Sequence, residues 1–462
     1  MTDYSIETSN MAYKKVYNRR NFIGTAASSA FALTYLPSRV FGANSTIQMA
    51  GIGVGGKGGS DIDGAGKVGK VVALCDIDGN NLNEKSKKYP GAKKFLDFRE
   101  MLSSMKGEID AVTVSTPDHT HAPAALMAMR QGVHVYCQKP LTHTVAEARA
   151  MRVEALKNGV ATQMGNQGTA DNGLRRGVEL VQSGIVGDVQ EIHVWTNRPV
   201  WPQAPEIVGR PNEAPPIPPH IRWDQFIGPA PWRPYHSAYH PFKWRGWWDF
   251  GTGALGDMGC HTANMAFMAC KLKYPTKVKA ISGEVNSETY PAWASVEYDF
   301  PAREKMPACK FYWYEGKLPN GEKNLPPKAL FNGENPPGSG SLIVGTEGIL
   351  YSPNDYGSKF KIFPKNKTKS FVQPKAWLPR NGRGDDGMKE EWAAAIKGGP
   401  PAMSNFEYAG VLTEAILLGN VAILHGGKTL DWNGQAMKFT NSDSANDSLH
   451  KKFRHGWPNI RA

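Results

Sequence analysis

Thr46-Ile47-Gln48-Met49-Ala50-Gly51-Ile52-Gly53-Val54-Gly55-Gly56 is the stretch on which the fold turns. Residues 47–52 read as a short apolar strand, and glycines follow at once. Gly51, Gly53 and Gly56 match a G-x-G-x-x-G spacing. In that reading the first glycine permits a tight turn and the second lets backbone approach a pyrophosphate. The third allows close packing of strand against helix. With 49 glycines in the chain, the spacing alone is weak. Asp76 strengthens it by closing the next apolar strand. An acid there accepts hydrogen bonds from adenosine ribose hydroxyls and repels a 2′-phosphate, which favours NAD over NADP. The plainer role for Asp76 is a helix N-cap, in which case Asp78 is the ribose candidate.

Outward from this turn the chain alternates strand and helix. Strands are expected at 71–76, 110–115, 133–137 and 161–164, with helices at 80–88, 122–131 and 146–158. Short apolar strands between helices imply a parallel sheet covered on both faces. After about residue 165 the texture changes. Residues 188–197 alternate with period two, as a half-exposed strand does. Residues 199–234 are dense in proline and tryptophan and read as a long ordered loop. Strand patterns return at 277–285, 294–300, 310–314, 342–344 and 359–363, and helices at 387–396 and 406–424. The expected fold is α/β: a Rossmann domain over 44–165, then an α+β domain over 166–462 with a mainly antiparallel open sheet. The last helices are free to pack back on the first domain.

Composition narrows the function. At 462 residues, with 21% charged and 40% hydrophobic residues, the chain is globular. Its net charge of +12 comes from dispersed lysines and arginines and not from a basic stripe, which argues against nucleic acid as a partner. No uninterrupted apolar run reaches the roughly 18 residues of a membrane span. Five cysteines, odd in number and without a C-x-x-C pair, argue against a disulfide framework. Near the start, Arg19-Arg20 precedes Phe22-Ile23, a small-residue apolar stretch over 24–36, Pro37 and small residues at 40–43. That order reads as a twin-arginine export signal over 1–43, and it predicts a periplasmic protein. A nucleotide-binding protein exported in this way cannot easily replace its cofactor.

Three further segments carry chemistry. Ser115-Thr116-Pro117-Asp118-His119-Thr120-His121 follows the third strand, at the sheet edge where ligands bind in open α/β folds. Thr116, Pro117, His119 and His121 are therefore candidate cofactor contacts. Gln138-Lys139-Pro140-Leu141 follows the fourth strand, so Gln138 and Lys139 face the same crevice. Gly251-Thr252-Gly253-Ala254-Leu255-Gly256-Asp257-Met258-Gly259-Cys260-His261 leads from a glycine loop into a helix. There Asp257 and His261 share a face, close enough to hydrogen-bond. A histidine oriented by a carboxylate suits proton transfer near neutral pH. No third ligand at suitable spacing points to a metal.

Taken together, these motifs resemble the glucose–fructose oxidoreductase / inositol dehydrogenase (Gfo/Idh/MocA) family over nearly all of the chain after the signal. Gly165-Asn166-Gln167-Gly168, residues 195–203 and residues 240–250 resemble an exported branch similar to glycoside 3-dehydrogenases. The resemblance implies an NAD-dependent oxidoreductase with tightly held NAD, acting on a secondary hydroxyl of a sugar or glycoside, with a 3-keto sugar as one product. It implies Lys139 as the active-site lysine, His261 as the base and Asp257 as its partner. Gln138 stands where that family usually has glutamate, and Asn264 where it often has an acid. Asn166, Gln167, Arg198 and Arg245 are candidates for binding substrate hydroxyls, and Trp201 and Trp248 for stacking on a sugar ring. The same tryptophans could instead anchor a long loop. A homo-oligomer is expected. The rival readings are a redox-neutral NAD-dependent glycosidase and a non-catalytic carbohydrate-binding protein.

Overall fold

A computed structural model describes residues 45–199, 208–458 and 460. The export signal over 1–43 and Trp201 lie outside the described residues. The first half alternates strictly: β1 (Gln48–Ile52), α1 (Gly56–Val68), β2 (Lys70–Cys75), α2 (Gly79–Lys88), β3 (Lys93–Phe95), α3 (Phe98–Ser104), β4 (Ala111–Val114), α4 (His121–Met129), β5 (His134–Cys137), α5 (Val145–Asn158) and β6 (Thr162–Met164). These strands form one six-stranded sheet in the order β3-β2-β1-β4-β5-β6. Every pairing in it is parallel. Each residue of β4 and β5 is buried, as strands covered on both faces require. The strand order reverses between β1 and β4. Ligands bind at such a switch point, outside the carboxyl ends of the strands.

α1 was not legible as a helix, because glycine disfavours helix by up to about 1 kcal/mol per residue. Close packing on the sheet supplies the reason for it: Gly58, Gly59 and Gly64 are buried on its inner face. α5 is marked more plainly. Thr144 and Glu147 form a capping box at its start, and Gly159 takes a left-handed conformation at its end.

The second half contains α6 (Asn172–Gln182), β7 (Val189–Thr196), α7 (Trp223–Ile227), α8 (Gly253–Thr262), α9 (Asn264–Ala269), β8 (Lys277–Ser282), β9 (Trp293–Phe300), β10 (Cys309–Gly316), β11 (Ser339–Gly345), β12 (Gly348–Ser352), β13 (Lys361–Phe363), α10 (Lys367–Ser370), α11 (Gly384–Ile396), α12 (Phe406–Leu424), β14 (Thr429–Asn433), β15 (Lys438–Phe439) and α13 (Asp443–Asp447). Its nine strands run β13-β12-β11-β7-β10-β9-β8-β14-β15. The pairings are antiparallel except for β7 with β10. β9 alternates buried and half-buried residues, so one sheet face meets the core and the other is open.

Two features refine the sequence reading. α12 is long enough to cross a bilayer and has a mean hydropathy of 1.4, yet 83% of that stretch is buried inside the protein. Its apolarity is that of a core helix, packed on α5 and α8. All five cysteines are unpaired and buried.

Candidate active site

A cavity of about 460 Å³ lies at the switch point. Its inner wall is the glycine turn, and here the spacing shifts by two residues from the expected one. Gly51 lies inside β1, where an added Cβ would sit 2.8 Å from Val54 Cγ1. Gly53 makes the turn, with φ +77° and its Cβ position 2.7 Å from the Ser115 carbonyl oxygen. Gly55 precedes the first turn of α1, and Gly58 brings the helix onto the strand, its Cβ position 1.9 Å from the Gly53 oxygen. Gly53, Gly55 and Gly58 therefore fill the roles assigned to Gly51, Gly53 and Gly56. Gly56 has φ +48° and open space where a side chain would go. Gly58→Ala is expected to lower the melting temperature more than Gly56→Ala, because its Cβ position meets a backbone oxygen and that of Gly56 meets open space. Overpacking costs about 1–3 kcal/mol, whereas the left-handed backbone at Gly56 costs about 1–2. Thermal melts of the two variants without added ligand check this.

Asp76 braces the same turn. One carboxylate oxygen accepts from the Val54 and Gly55 amides at 2.8 and 3.0 Å, and the other from the Asp78 amide at 2.9 Å. A carboxylate offers about four acceptor sites, so a hydroxyl can still reach it from the cavity. The N-cap of α2 is Asp78, which binds the Asn80 amide. A dinucleotide fits this arrangement. The N-terminus of α1 opens on the cavity and suits a pyrophosphate, and the volume lies within the range of cofactor pockets.

Thr116, Pro117, His121, Gln138 and Lys139 line the cavity. His121 is held with its ring nitrogens 2.9 Å from the Pro140 carbonyl and 2.8 Å from that of Thr116. His119 does not reach the cavity. It is buried and ties the loops together, with its ring nitrogens at the carbonyls of Phe226 and Phe250. Burial pushes its pKa down to about 4.

Lys139 and α8 form the chemical end of the site. The Lys139 ammonium donates to the Asp257 carboxylate at 2.9 Å and to the Asp257 carbonyl at 3.0 Å. Arg245 Nε lies 3.3 Å and Arg198 Nε 3.8 Å from the same carboxylate. Arg245 also pairs at 3.1 Å with Asp118, which Thr252 holds from behind. Burial opposes ionisation of Asp257, but Lys139 and Arg245 outweigh it and hold its carboxyl well below the usual range. The expected hydrogen bond between Asp257 and His261 is absent, because these cations claim the carboxylate. His261 instead sits edge-on to the Tyr356 ring, 4.9 Å between centroids at 78°. Its Nδ1 is buried and has no hydrogen-bond partner among the described residues. Burial, then the Lys139 charge, push its pKa well below the ordinary histidine value.

Several expected substrate residues are placed elsewhere. Asn166 is fully buried, with its amide used by the Ser404 hydroxyl at 2.5 Å and the Cys260 carbonyl at 3.4 Å, so it supports the site from beneath. Gln167 begins a short 3₁₀ turn and is half-buried. Trp248 is buried against Tyr290, with ring centroids 3.7 Å apart, and is not in the cavity wall. Trp223 and Trp247 form the small core that orders the proline-rich segment, which is the loop-anchoring role. Among the described tryptophans of residues 195–248, Trp244 lines the cavity, stacked under Arg245 at 4.2 Å.

Sequence reasoning missed the network behind Gln138. Buried Asp61, on α1, accepts from Gln138 Nε2, Ser115 Oγ and Lys57 Nζ, each at 2.8 Å, and from Lys389 Nζ at 2.9 Å. Lys389 and Asp385 lie on α11, which packs on α1 and β6. A lysine and an aspartate 328 positions apart leave no local signal.

Residues 47–166 match the family model for the Gfo/Idh/MocA oxidoreductases, NAD-binding Rossmann fold, and residues 175–305 match the C-terminal alpha/beta domain of the same family. The chain belongs to the Gfo/Idh/MocA oxidoreductase family. The six-stranded half is its NAD-binding domain. Among curated relatives, D-glucoside 3-dehydrogenase of Escherichia coli is 34% identical over 131 residues, 28% of this chain and 35% of the relative. Inositol 2-dehydrogenase of Gluconacetobacter diazotrophicus is 29% identical over 150 residues, 31% and 44% of the two chains. D-apiose dehydrogenase of Paraburkholderia graminis is 35% identical over 100 residues, 22% and 25%. These matches span less than half of each relative. In fold, the chain is similar to the WlbA dehydrogenase of Bordetella pertussis (TM-score 0.58, 15% identity, 84% of this chain and 99% of that one). It is also similar to the aldose–aldose oxidoreductase of Caulobacter crescentus (TM-score 0.54, 16% identity, 84% and 100%).

Proposed function

We propose that this Gfo/Idh/MocA protein is an NAD-dependent dehydrogenase that oxidises a secondary hydroxyl of a sugar or glycoside. Its specific form is oxidation at C3 to a 3-keto sugar, in the periplasm, with NAD retained between turnovers. One observation carries the reading: the ammonium of Lys139, in the wall of the nucleotide cavity, is paired with Asp257 of α8, one helical turn from the buried imidazole of His261, whose Nδ1 has no hydrogen-bond partner among the described residues. The relatives named for glucoside, inositol and apiose oxidation support a polyol substrate, and the twin-arginine motif at Arg19-Arg20 supports export.

Bound NAD supplies the hydride acceptor. Each other task falls to the chain. His261, neutral because it is buried beside a cation, can take the hydroxyl proton. The Lys139 ammonium stabilises the negative charge that develops on that oxygen. Asp257 holds Lys139 in place through two contacts, and Arg245 ties Asp257 to the 115–121 loop through Asp118. The test is absorbance at 340 nm on adding a panel of glycosides to the purified protein, with mass detection of keto-sugar products. A rise with a matching keto product is expected. Aglycone release with no net reduction would replace the dehydrogenase reading with a redox-neutral hydrolase, and silence across the panel would overturn it.

A further inference from the structure

We propose that the C-terminal segment 451–457 is a strap that retains NAD, with Trp457 as part of the adenosine wall and Arg454 as its fastening. The inference rests on NAD occupying the cavity and is independent of the sugar chemistry.

Asp76 marks one end of the cavity as the adenosine end. Three segments far apart in sequence line that end: Leu96 with Phe98 at the start of α3, α7 through Gln225 and Phe226, and Trp457. An exchangeable dinucleotide needs an open edge through which to leave. Here the edge is spanned. The Trp457 indole is buried against Phe98, with centroids 6.0 Å apart, and under the Arg99 guanidinium at 4.5 Å. Both partners belong to α3 of the nucleotide-binding half.

Three residues earlier, the same segment is bound to the opposite wall. Arg454 donates from its backbone amide to the Pro229 carbonyl at 3.0 Å and from Nε to the Gly228 carbonyl at 2.6 Å. Its other nitrogens reach the Asp224 carbonyl at 2.9 Å and the Asp224 carboxylate at 2.8 Å. Lys451 is fixed in turn by the Trp248 carbonyl and lies 3.5 Å from Asp249. One short segment thus joins α3 to α7 across the cleft. The α7 wall cannot swing away by itself, because it is sewn to the loop after β2 and the start of α2: Gly79 donates to His220 at 2.8 Å and Arg222 to Ile77 at 2.9 Å. Opening the adenosine end requires the strap to lift, which exposes a tryptophan and breaks the Arg454 contacts together. Dissociation is then limited by that opening.

The test is the release rate of NADH from the full-length holoprotein, followed by NADH fluorescence after dilution into excess NAD⁺. The wild type is expected to release slowly. Trp457→Ala and Arg454→Ala are expected to release about tenfold faster or more, since each removes a buried anchor. Trp457→Phe is expected to stay near the wild-type rate. Should Trp457→Ala fail to fold, Asp224→Asn tests the same fastening from the other side, with a smaller acceleration. Equal release rates for wild type, Arg454→Ala and Asp224→Asn would overturn the strap. A wild type that binds no NADH would overturn the cofactor assignment beneath it.

Discussion

Lys139→Met lowers turnover of a confirmed glycoside by about 10²–10³-fold, the usual cost of removing one preorganised donor from a developing oxyanion. The choice of methionine follows from the charges. Lys139, Arg198 and Arg245 face Asp118 and Asp257 at this end of the site. Losing the lysine leaves two cations against two anions, and methionine keeps an unbranched apolar stem in the same space. Asp257→Asn leaves three cations around one carboxylate, so its loss of activity mixes chemistry with a disturbed fold. Steady-state kinetics with cofactor content measured on the same samples checks the prediction. A Lys139→Met enzyme within a few-fold of wild-type kcat would remove the lysine from the chemistry.

The parts of this site that were legible in the sequence are those set by strand ends. A parallel sheet buries its strands on both faces, so β1, β2, β4 and β5 appear as short, mostly apolar runs. Whatever follows each run must lie at the ligand edge, which is how Thr116, Gln138 and Lys139 could be placed. Register within the glycine turn was not legible, because two overlapping G-x-G-x-x-G spacings fit the same residues and only packing separates them. Gly58 against the Gly53 carbonyl decides it. Side-chain partners across long separations were also hidden. Asp257 and His261 are correctly one turn apart on α8, but spacing could not reveal that Lys139 and Arg245 would claim the carboxylate. Trp248 misled for a related reason: a ring suited to stacking on a sugar is equally suited to packing in a core, and it packs on Tyr290.

His261→Asn is expected to cost about 10²–10⁴-fold in turnover, the range for losing a general base. The pH profile separates this role from a structural one. Burial is the largest influence on His261 and the Lys139 charge the next, and both disfavour the imidazolium. The ring is therefore neutral, and competent as a base, at pH values where an ordinary histidine is already protonated. In wild type, kcat/KM should hold through neutral pH and fall only below the ordinary histidine value of about 6.5. Removing a nearby cation relieves part of the penalty on the imidazolium, so the His261 pKa rises. The acid limb of Lys139→Met should accordingly move to higher pH while staying below 6.5, since burial still acts. His261→Asn should lose that limb altogether. An acid limb of unchanged position in Lys139→Met, or one that survives in His261→Asn, would mean that some other group takes the proton.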